Sequence, residues 1–404
     1  MSSLYSENKR VVSGMRASGR LHLGHYHGVI KNWIDLQNQY ECFYFVADWH
    51  GLTTRYDEPG FMKQIIWDMV IDWLACGVNP GLATLFIQSW VPEHAELFLL
   101  LSMITPLGWL ERVPTYKDQQ EKLKDKDLST YGFLGYPVLQ SADVLIYRAD
   151  HVPVGEDQVS HIELTREVAR RFNYMYGREP NFEQLAMDAI KKMGKKNGKL
   201  YQNLRKQFQQ EGCHESLTTA QALLAHQHNL SIGDKERLYG YLDGTGKIIL
   251  PEPHPLLTAN AKVPGIDGQK MSKSYGNTIS LREEPAIVEQ KILKMPTDPA
   301  RVKRTDPGEP QKCPVWDFHK LYSDDSTKDW VQTGCRTAGI GCIDCKRPIV
   351  DAINKELAPI QQQIIELEQD PGSVKKVIAE GSESARDEAN KTLNDVREAM
   401  GIDI

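Results

Sequence analysis

Two short clusters in this 404-residue chain carry the residue types that phosphate chemistry needs. The first is His22-Leu-Gly-His25, preceded by Gly14, Arg16 and Gly19. Glycines after a strand let backbone approach a nucleotide closely, and the N-terminus of a following helix favours negative charge. His22 and His25 stand three apart on one helical face, where both can donate to a phosphate chain, and Gly24 leaves room for a flat ring. The Gly-x-Gly-x-x-Gly spacing of a dinucleotide loop is absent. His22, His25 and His27 have no carboxylate nearby in sequence to complete a metal site.

The second cluster is Lys270-Met-Ser-Lys-Ser274, set between Gly265, Gly268 and Gly276. Two ammonium groups on a glycine-flanked loop suit a phosphorus centre whose charge grows as pyrophosphate leaves. Contacts of that kind raise turnover rather than simple affinity. Lys270, Met271, Ser272 and Lys273 are therefore candidate ATP contacts. Lys270, Lys273, His22 and His25 are the candidate catalytic groups.

The elements that must position these clusters follow from periodicity. Short apolar runs at Arg10–Ser13, Cys42–Ala47 and Thr84–Gln88 have strand length. Helical spacing covers Leu23–Gln37 and Phe61–Cys76, and Pro92 opens a further helix. Continuous apolar strands separated by helices predict a parallel α/β sheet covered on both faces, with ligands beyond the C-terminal strand ends. Residues 1–180 form the first part of this expected Rossmann-like domain and 248–282 its continuation. Residues 181–247 are polar, rich in Gln and Lys, and are expected to be an insertion of small, partly mobile helices. Residues 283–404 have a helical pattern and predict an all-helical C-terminal domain.

Composition is that of an ordinary globular protein, 41% hydrophobic and 25% charged, with a net charge of −6. That balance argues against a DNA-coating surface but leaves local basic patches open. One runs from Lys191 to Lys206, through Lys192, Lys195, Lys196, Lys199 and Arg205. The polar first ten residues predict no secretory signal. The apolar stretch Ala95–Leu110 is too short and interrupted to span a bilayer, and it reads as a buried helix and the turn after it. A cytoplasmic protein with no membrane partner is expected.

Seven cysteines do not suggest a disulfide framework, but four of them, Cys313, Cys335, Cys342 and Cys345, are spaced C-x21-C-x6-C-x2-C. Four thiols suit a four-iron cluster or a structural zinc, with free buried thiols as the remaining alternative. Arg336, Lys346 and Arg347 lie among them and would suit RNA contact.

Taken together, His22-Leu-Gly-His25 and Lys270-Met-Ser-Lys-Ser274 resemble the two signatures of the class I aminoacyl-tRNA synthetases, in the family's order. Val152-Pro-Val-Gly-Glu-Asp-Gln158 followed by His161-Ile-Glu-Leu-Thr-Arg-Glu167 is similar to the tryptophan branch of that class. The similarity is read over nearly the whole chain except 181–247. It implies ATP with Mg2+ as cosubstrate, tryptophan and its tRNA as substrates, and a homodimer. It also implies that Gly155 and Asp157 meet the ATP ribose and Gln158 the polar end of the amino acid. Some bacterial members carry a four-iron cluster on a similar cysteine set, which the resemblance extends to this one.

In Tyr136-Pro-Val-Leu-Gln-Ser-Ala-Asp143, the family's carboxylate accepts the indole N–H, which places Asp143 at tryptophan's single ring donor. Tyr136, Gln140 and Asp143 also match what tyrosine enzymes use. Val12 discriminates: tyrosine enzymes usually place a phenol there to read the substrate hydroxyl, and valine would leave that hydroxyl unsatisfied. His50 would line the pocket, with Val152 and Val154 as apolar wall. Arg16 and Gln140 depart from residues common in the bacterial tryptophan enzymes.

Overall fold

The computed structural model describes residues 9–58, 60–113, 130–155, 158–177, 181–257 and 263–403. Five parallel strands form one sheet: β1 (Arg10–Arg16), β2 (Glu41–Ala47), β3 (Ala83–Ile87), β4 (His151–Val154) and β5 (His254–Leu257). Their order is β3-β2-β1-β4-β5. The chain winds outward from β1 to β3, then returns to lay β4 on the other side of β1. The order therefore reverses between β1 and β4, where a doubly wound sheet opens its crevice.

The helices, in chain order, start with α1 (Leu23–His25), a π-helical turn over Tyr26–Ile30 and α2 (Lys31–Leu36). Next come α3 (Asp48–Leu52), α4 (Phe61–Ala75), α5 (Glu93–Ser102), α6 (Leu107–Leu110), α7 (Tyr131–Leu145) and α8 (Val159–Tyr176). The insertion comprises α9 (Phe182–Lys192), α10 (Gly194–Glu211), α11 (His214–Ala225) and α12 (Ile232–Asp243). The C-terminal region adds α13 (Pro285–Lys294), α14 (Pro314–Tyr322), α15 (Asp325–Arg336), α16 (Cys342–Gln369) and α17 (Pro371–Met400).

Strand alternation divides the apolar residues between two cores. Val11 and Tyr44 pack on one face with Trp33, Trp73 and Ile353. Val12, Phe43 and Phe45 pack on the other with Leu97, Leu145, Phe172 and Leu393. Leu393 and Ile353 come from α17 and α16, so the C-terminal helices share the sheet's own cores. Gly381 brings α17 hard against β3: a Cβ there would lie 2.0 Å from the Leu85 carbonyl oxygen. Covering β3 in this way protects an edge strand from pairing with another chain.

The insertion has a core of its own, including Ala189, Tyr201, Leu224 and Leu238. The Tyr201 hydroxyl donates to the Leu238 carbonyl at 2.6 Å inside it. The sequence suggests little periodic apolar content here, yet Ile190, Leu204, Leu224, Leu238 and Leu242, with alanines beside them, bring all four helices into one core. Asn173 on α8 ties the insertion's exit to the sheet domain by accepting from the N–H groups of Ile249 and Leu250. Ala95–Leu110 is not a wholly buried helix as expected; Leu99, Met103 and Leu107 are exposed. No helix among the described residues is long and apolar enough to cross a membrane.

Candidate active site

The two phosphate-handling clusters meet at the end of β1. Backbone bonds from Leu23 N–H to the Ile279 carbonyl (3.0 Å) and from Leu281 N–H to the Leu21 carbonyl (3.1 Å) pin the start of α1 to the chain after the lysine loop. Lys273 reaches back to donate to the Gly19 carbonyl at 2.7 Å and to the Ser18 hydroxyl at 3.4 Å. Segments about 250 residues apart in sequence thereby form one site.

His22 caps α1: its Nδ1 accepts from Gly24 N–H at 3.1 Å, while His25 Nδ1 accepts from His22 N–H at 3.3 Å. A ring nitrogen that accepts carries no proton, so each neutral imidazole keeps its hydrogen on Nε2. Burial and Lys273 push His22 down to about 4. Burial, His22 and Lys273 hold His25 well below the ordinary imidazole range. Both are thus neutral Nε2–H donors at pH 7, which is the form that can donate to phosphate oxygens without protonation. Gly24 is half-buried, and on its Cβ side a side chain would lie 2.9 Å from the His22 ring and 3.6 Å from Met271. Gly14 is exposed within the otherwise largely buried β1, and on its Cβ side a side chain would meet the Phe45 ring at 2.4 Å.

Cationic charge gathers around the same loop. Burial and then Arg55 lower the Lys273 ammonium to about 8. Burial and then Arg55 also lower the Arg16 guanidinium. Arg16 donates to the Thr54 hydroxyl, and its buried Nε finds no hydrogen-bond partner among the described residues. Arg55, itself paired with Glu58 at 2.7 Å, disfavours both neighbouring cations, and with the unused buried donor of Arg16 this describes an anion-binding environment. Arg55 is absent from the sequence-based candidates; it follows β2 and α3, on the strand-end side where such residues are expected. Lys270 is exposed, and Met271 is buried at 4% exposure.

Asn277 holds the lysine loop in shape. Its side-chain oxygen accepts from Ser272 N–H at 2.8 Å, and its amide donates to Asp267 at 2.7 Å and to the Lys270 carbonyl at 3.2 Å. Gly265 is required beside it, because a Cβ would lie 2.1 Å from the Asn277 amide.

Asp143, on α7, is 2% exposed, and both carboxylate oxygens are engaged. Oδ1 accepts from Gln88 Nε2 at 2.7 Å and contacts His94 Nδ1 at 2.7 Å; Oδ2 contacts His50 Nε2 at 2.8 Å. Burial opposes its charge, but His50 and His94 outweigh that and bring the group to about 2. Val12 and Val152 are buried together in the second of the two cores. Tyr136 is half-buried, its ring 6.4 Å from His50 and 5.6 Å from His161. Gln140, Val154, Gly155 and Gln158 are also half-buried, with Gln158 N–H donating to the Gly155 carbonyl at 3.0 Å. Asp157 lies outside the described residues.

A family model for class I tRNA synthetases (W and Y) matches residues 5–207 and 228–358. The chain belongs to that family. It is 64% identical to the tryptophan–tRNA ligase of Ralstonia nicotianae over 394 residues, 98% of each chain. It is 44% identical to the tryptophan–tRNA ligase of Thermotoga maritima, covering 97% of this chain and 99% of the relative. A solved tryptophanyl-tRNA synthetase from Campylobacter jejuni, complexed with ADP and tryptophan, superposes with a TM-score of 0.72 at 26% identity. That likeness covers 97% of this chain and 99% of the other. The family match runs into both ends of the insertion and omits only 208–227 of it, so the similarity is wider than the signatures suggest.

Gln88, His94 and Tyr147 in this synthetase go unnoticed in a motif search. Gln88 had a usable signal, since it directly follows β3 at a strand's C-terminal end. His94 had none: a histidine in the first turns of an apolar helix reads as packing.

The C-terminal cysteines are neighbours. Burial pushes Cys345 up to about 12, with Cys313, Cys335 and Cys342 adding to the rise. Such a thiol set suits a thiolate-binding metal by its chemistry, yet the geometry does not support the expected cluster or zinc. Among the described residues, no three or more His, Cys, Asp or Glu side chains are placed to hold a metal ion. Instead, Cys345 Sγ contacts His319 Nε2 at 3.3 Å, and Cys335 Sγ accepts from Arg301 at 3.8 Å.

The RNA-contact expectation for Lys346 is also corrected. Lys346 is 3% exposed and donates inward to the carbonyls of Leu293 and Met295 at 2.8 and 2.7 Å. Arg336 pairs with Glu309, and Arg347 is exposed. In the insertion, Lys191 and Lys192 pair with Asp188 and Asp234, which the linear sequence of the patch hides. Arg205 stacks over Tyr241.

Proposed function

We propose that this chain activates L-tryptophan with Mg-ATP to tryptophanyl-adenylate and pyrophosphate, then transfers tryptophan to the 3′ end of its tRNA. The observation that carries the reading is the junction of Lys273 with the β1–α1 loop, in a fold that also buries an ionised Asp143. The tryptophan carboxylate attacks the α-phosphate; the bond to pyrophosphate breaks as the acyl-phosphate bond forms. His22 and His25 donate through Nε2 to the phosphate chain. Lys273, Arg16 and Arg55 meet the charge that grows on the departing pyrophosphate, while exposed Lys270 reaches it from the loop tip. Gly24 and Met271 border the adenine, with Ser272 and Gly14 at the phosphates and Gly155 and Asp157 at the ribose. No protein nucleophile takes part; alignment and charge stabilisation supply the rate.

Asp143 accepts the indole N–H, with Tyr136, Gln140, His50, Val12, Val152 and Val154 around the ring and Gln158 at the amino acid's polar end. Val12 offers no partner to a tyrosine hydroxyl, which favours tryptophan over tyrosine. The Campylobacter protein's bound tryptophan agrees with this substrate. The exposed face of Leu99 and Met103 on α5, with Leu107, suits a homodimer contact. For the cysteine set, a four-iron cluster or zinc is the finer proposal. It rests on the chemistry of four neighbouring thiols rather than on a formed ligand set, and iron, sulfide and zinc analysis of anaerobically purified protein tests it.

ATP–pyrophosphate exchange with each amino acid in turn tests the activation step. Exchange that depends on tryptophan, and is at least a hundredfold weaker with tyrosine, is expected. Equal exchange with both would overturn the specificity.

A further inference from the structure

The polar groups around Asp143 form a connected buried set more elaborate than one acceptor needs. His94 is fully buried on α5. Its Nδ1 lies 2.7 Å from Asp143 Oδ1, and its Nε2 lies 2.7 Å from the Tyr147 hydroxyl. Phe45, Phe86 and Tyr147 surround the imidazole with centroids 5.3–5.9 Å away, leaving it no room to turn.

An ionised carboxylate only accepts, so His94 must carry a hydrogen on Nδ1. Tyr147 is buried, and its phenol is held well above the ordinary range, first by burial and then by Asp143. It therefore keeps its hydrogen and donates to the lone pair on His94 Nε2. The hydroxyl thus selects the tautomer that presents a donor to Asp143. Without it, a proton on Nε2 would turn the Nδ1 lone pair against the carboxylate. Gln88 and His94 together occupy Oδ1, while among the described residues Oδ2 has one donor, His50, and a lone pair to spare.

We infer that His94, with Tyr147 behind it, is a positioning residue for tryptophan recognition. It saturates Asp143 Oδ1 and fixes the carboxylate, so that Oδ2 alone presents its free lone pair to the indole N–H. This inference rests on the reading of Asp143 given above.

The test is calorimetric titration of the full-length protein with tryptophan and with benzothienylalanine, in which sulfur replaces the ring N–H. The proteins are wild type, His94→Ala, His94→Asn and Tyr147→Phe. Wild type must prefer tryptophan; equal affinity would refute the role of Asp143 itself, separately from that of His94. His94→Ala is expected to weaken tryptophan by about 10–100-fold, the usual loss of a charge-assisted bond. It should weaken benzothienylalanine by less than about threefold, since that ligand never used the acceptor. His94→Asn, whose amide can stand where Nδ1 stands, should recover most of the loss. Tyr147→Phe should lie between and retain the same dependence on ligand. Equal weakening of both ligands, or unchanged tryptophan affinity, would overturn the assignment. If His94→Ala does not fold, Tyr147→Phe decides by the same ratio.

Discussion

Replacing Lys273 by methionine separates the cost of keeping an ammonium in this site from its use in the reaction. Methionine retains a long unbranched stem and removes only the charged head. Burial and Arg55 lower that head from 10.5 to about 8, a penalty of about 3 kcal/mol on the charged form. The bonds to Gly19 and Ser18 return about 1 kcal/mol. The variant should therefore be no less stable than wild type, with Tm unchanged or raised by roughly 1–3 °C. The chemistry should respond in the opposite sense. Loss of one donor aimed at developing charge costs about 3–4 kcal/mol, or about 10²–10³ in rate. Rapid-quench single-turnover formation of adenylate from tryptophan and Mg-ATP measures this, alongside scanning calorimetry. A rate within about threefold of wild type would remove Lys273 from the mechanism. A Tm lower by several degrees would refute the electrostatic account of the loop.

The same ammonium predicts a pH limb. It is charged below about 8 in the free protein, so kcat/KM for ATP should hold up to neutrality and fall as pH rises beyond about 8. The Lys273→Met variant should lack that limb; finding it unchanged there would assign it to another group. Asp143→Asn should weaken tryptophan binding by about 10–100-fold and reduce discrimination against tyrosine, as measured by calorimetry and exchange with both amino acids. Unchanged discrimination would refute the indole assignment. Asn277→Ala should lower single-turnover activation by about tenfold through a loosened loop while leaving tryptophan affinity unchanged. A matching loss of affinity would show that the loop also shapes the amino-acid pocket.

The parts of this protein that were legible in the sequence are those with a short-range physical signature. The strands at Cys42–Ala47 and Thr84–Gln88 announced themselves as continuous apolar runs, and β2 and β3 lie there to within a residue. The lysine loop was visible from its glycines. What escaped depends on contacts made across the chain. Gln88, His94 and Tyr147 acquire meaning only when β3, α5 and the end of α7 converge on Asp143. Arg55 matters because Arg16 and Lys273 are folded beside it. Lys346 looked like a surface charge, but α16 turns it inward onto carbonyls at the end of α13. The Asp188 and Asp234 partners of the insertion's lysines come from outside the basic run, so charge counting along the chain overstated the patch. The glycines were legible only in part: on their Cβ sides Gly14 and Gly24 also make room for Phe45 and His22, a protein contact that the glycine pattern does not reveal.

The most direct test of the central claim is transfer itself: purified protein, Mg-ATP, radiolabelled amino acid and total bacterial tRNA, with label counted in acid-precipitable RNA. Tryptophan should be incorporated to a plateau set by the cognate tRNA, in a reaction that requires ATP, while tyrosine should give background. Charging with tyrosine, or no charging by a protein that still forms tryptophanyl-adenylate, would contradict the account.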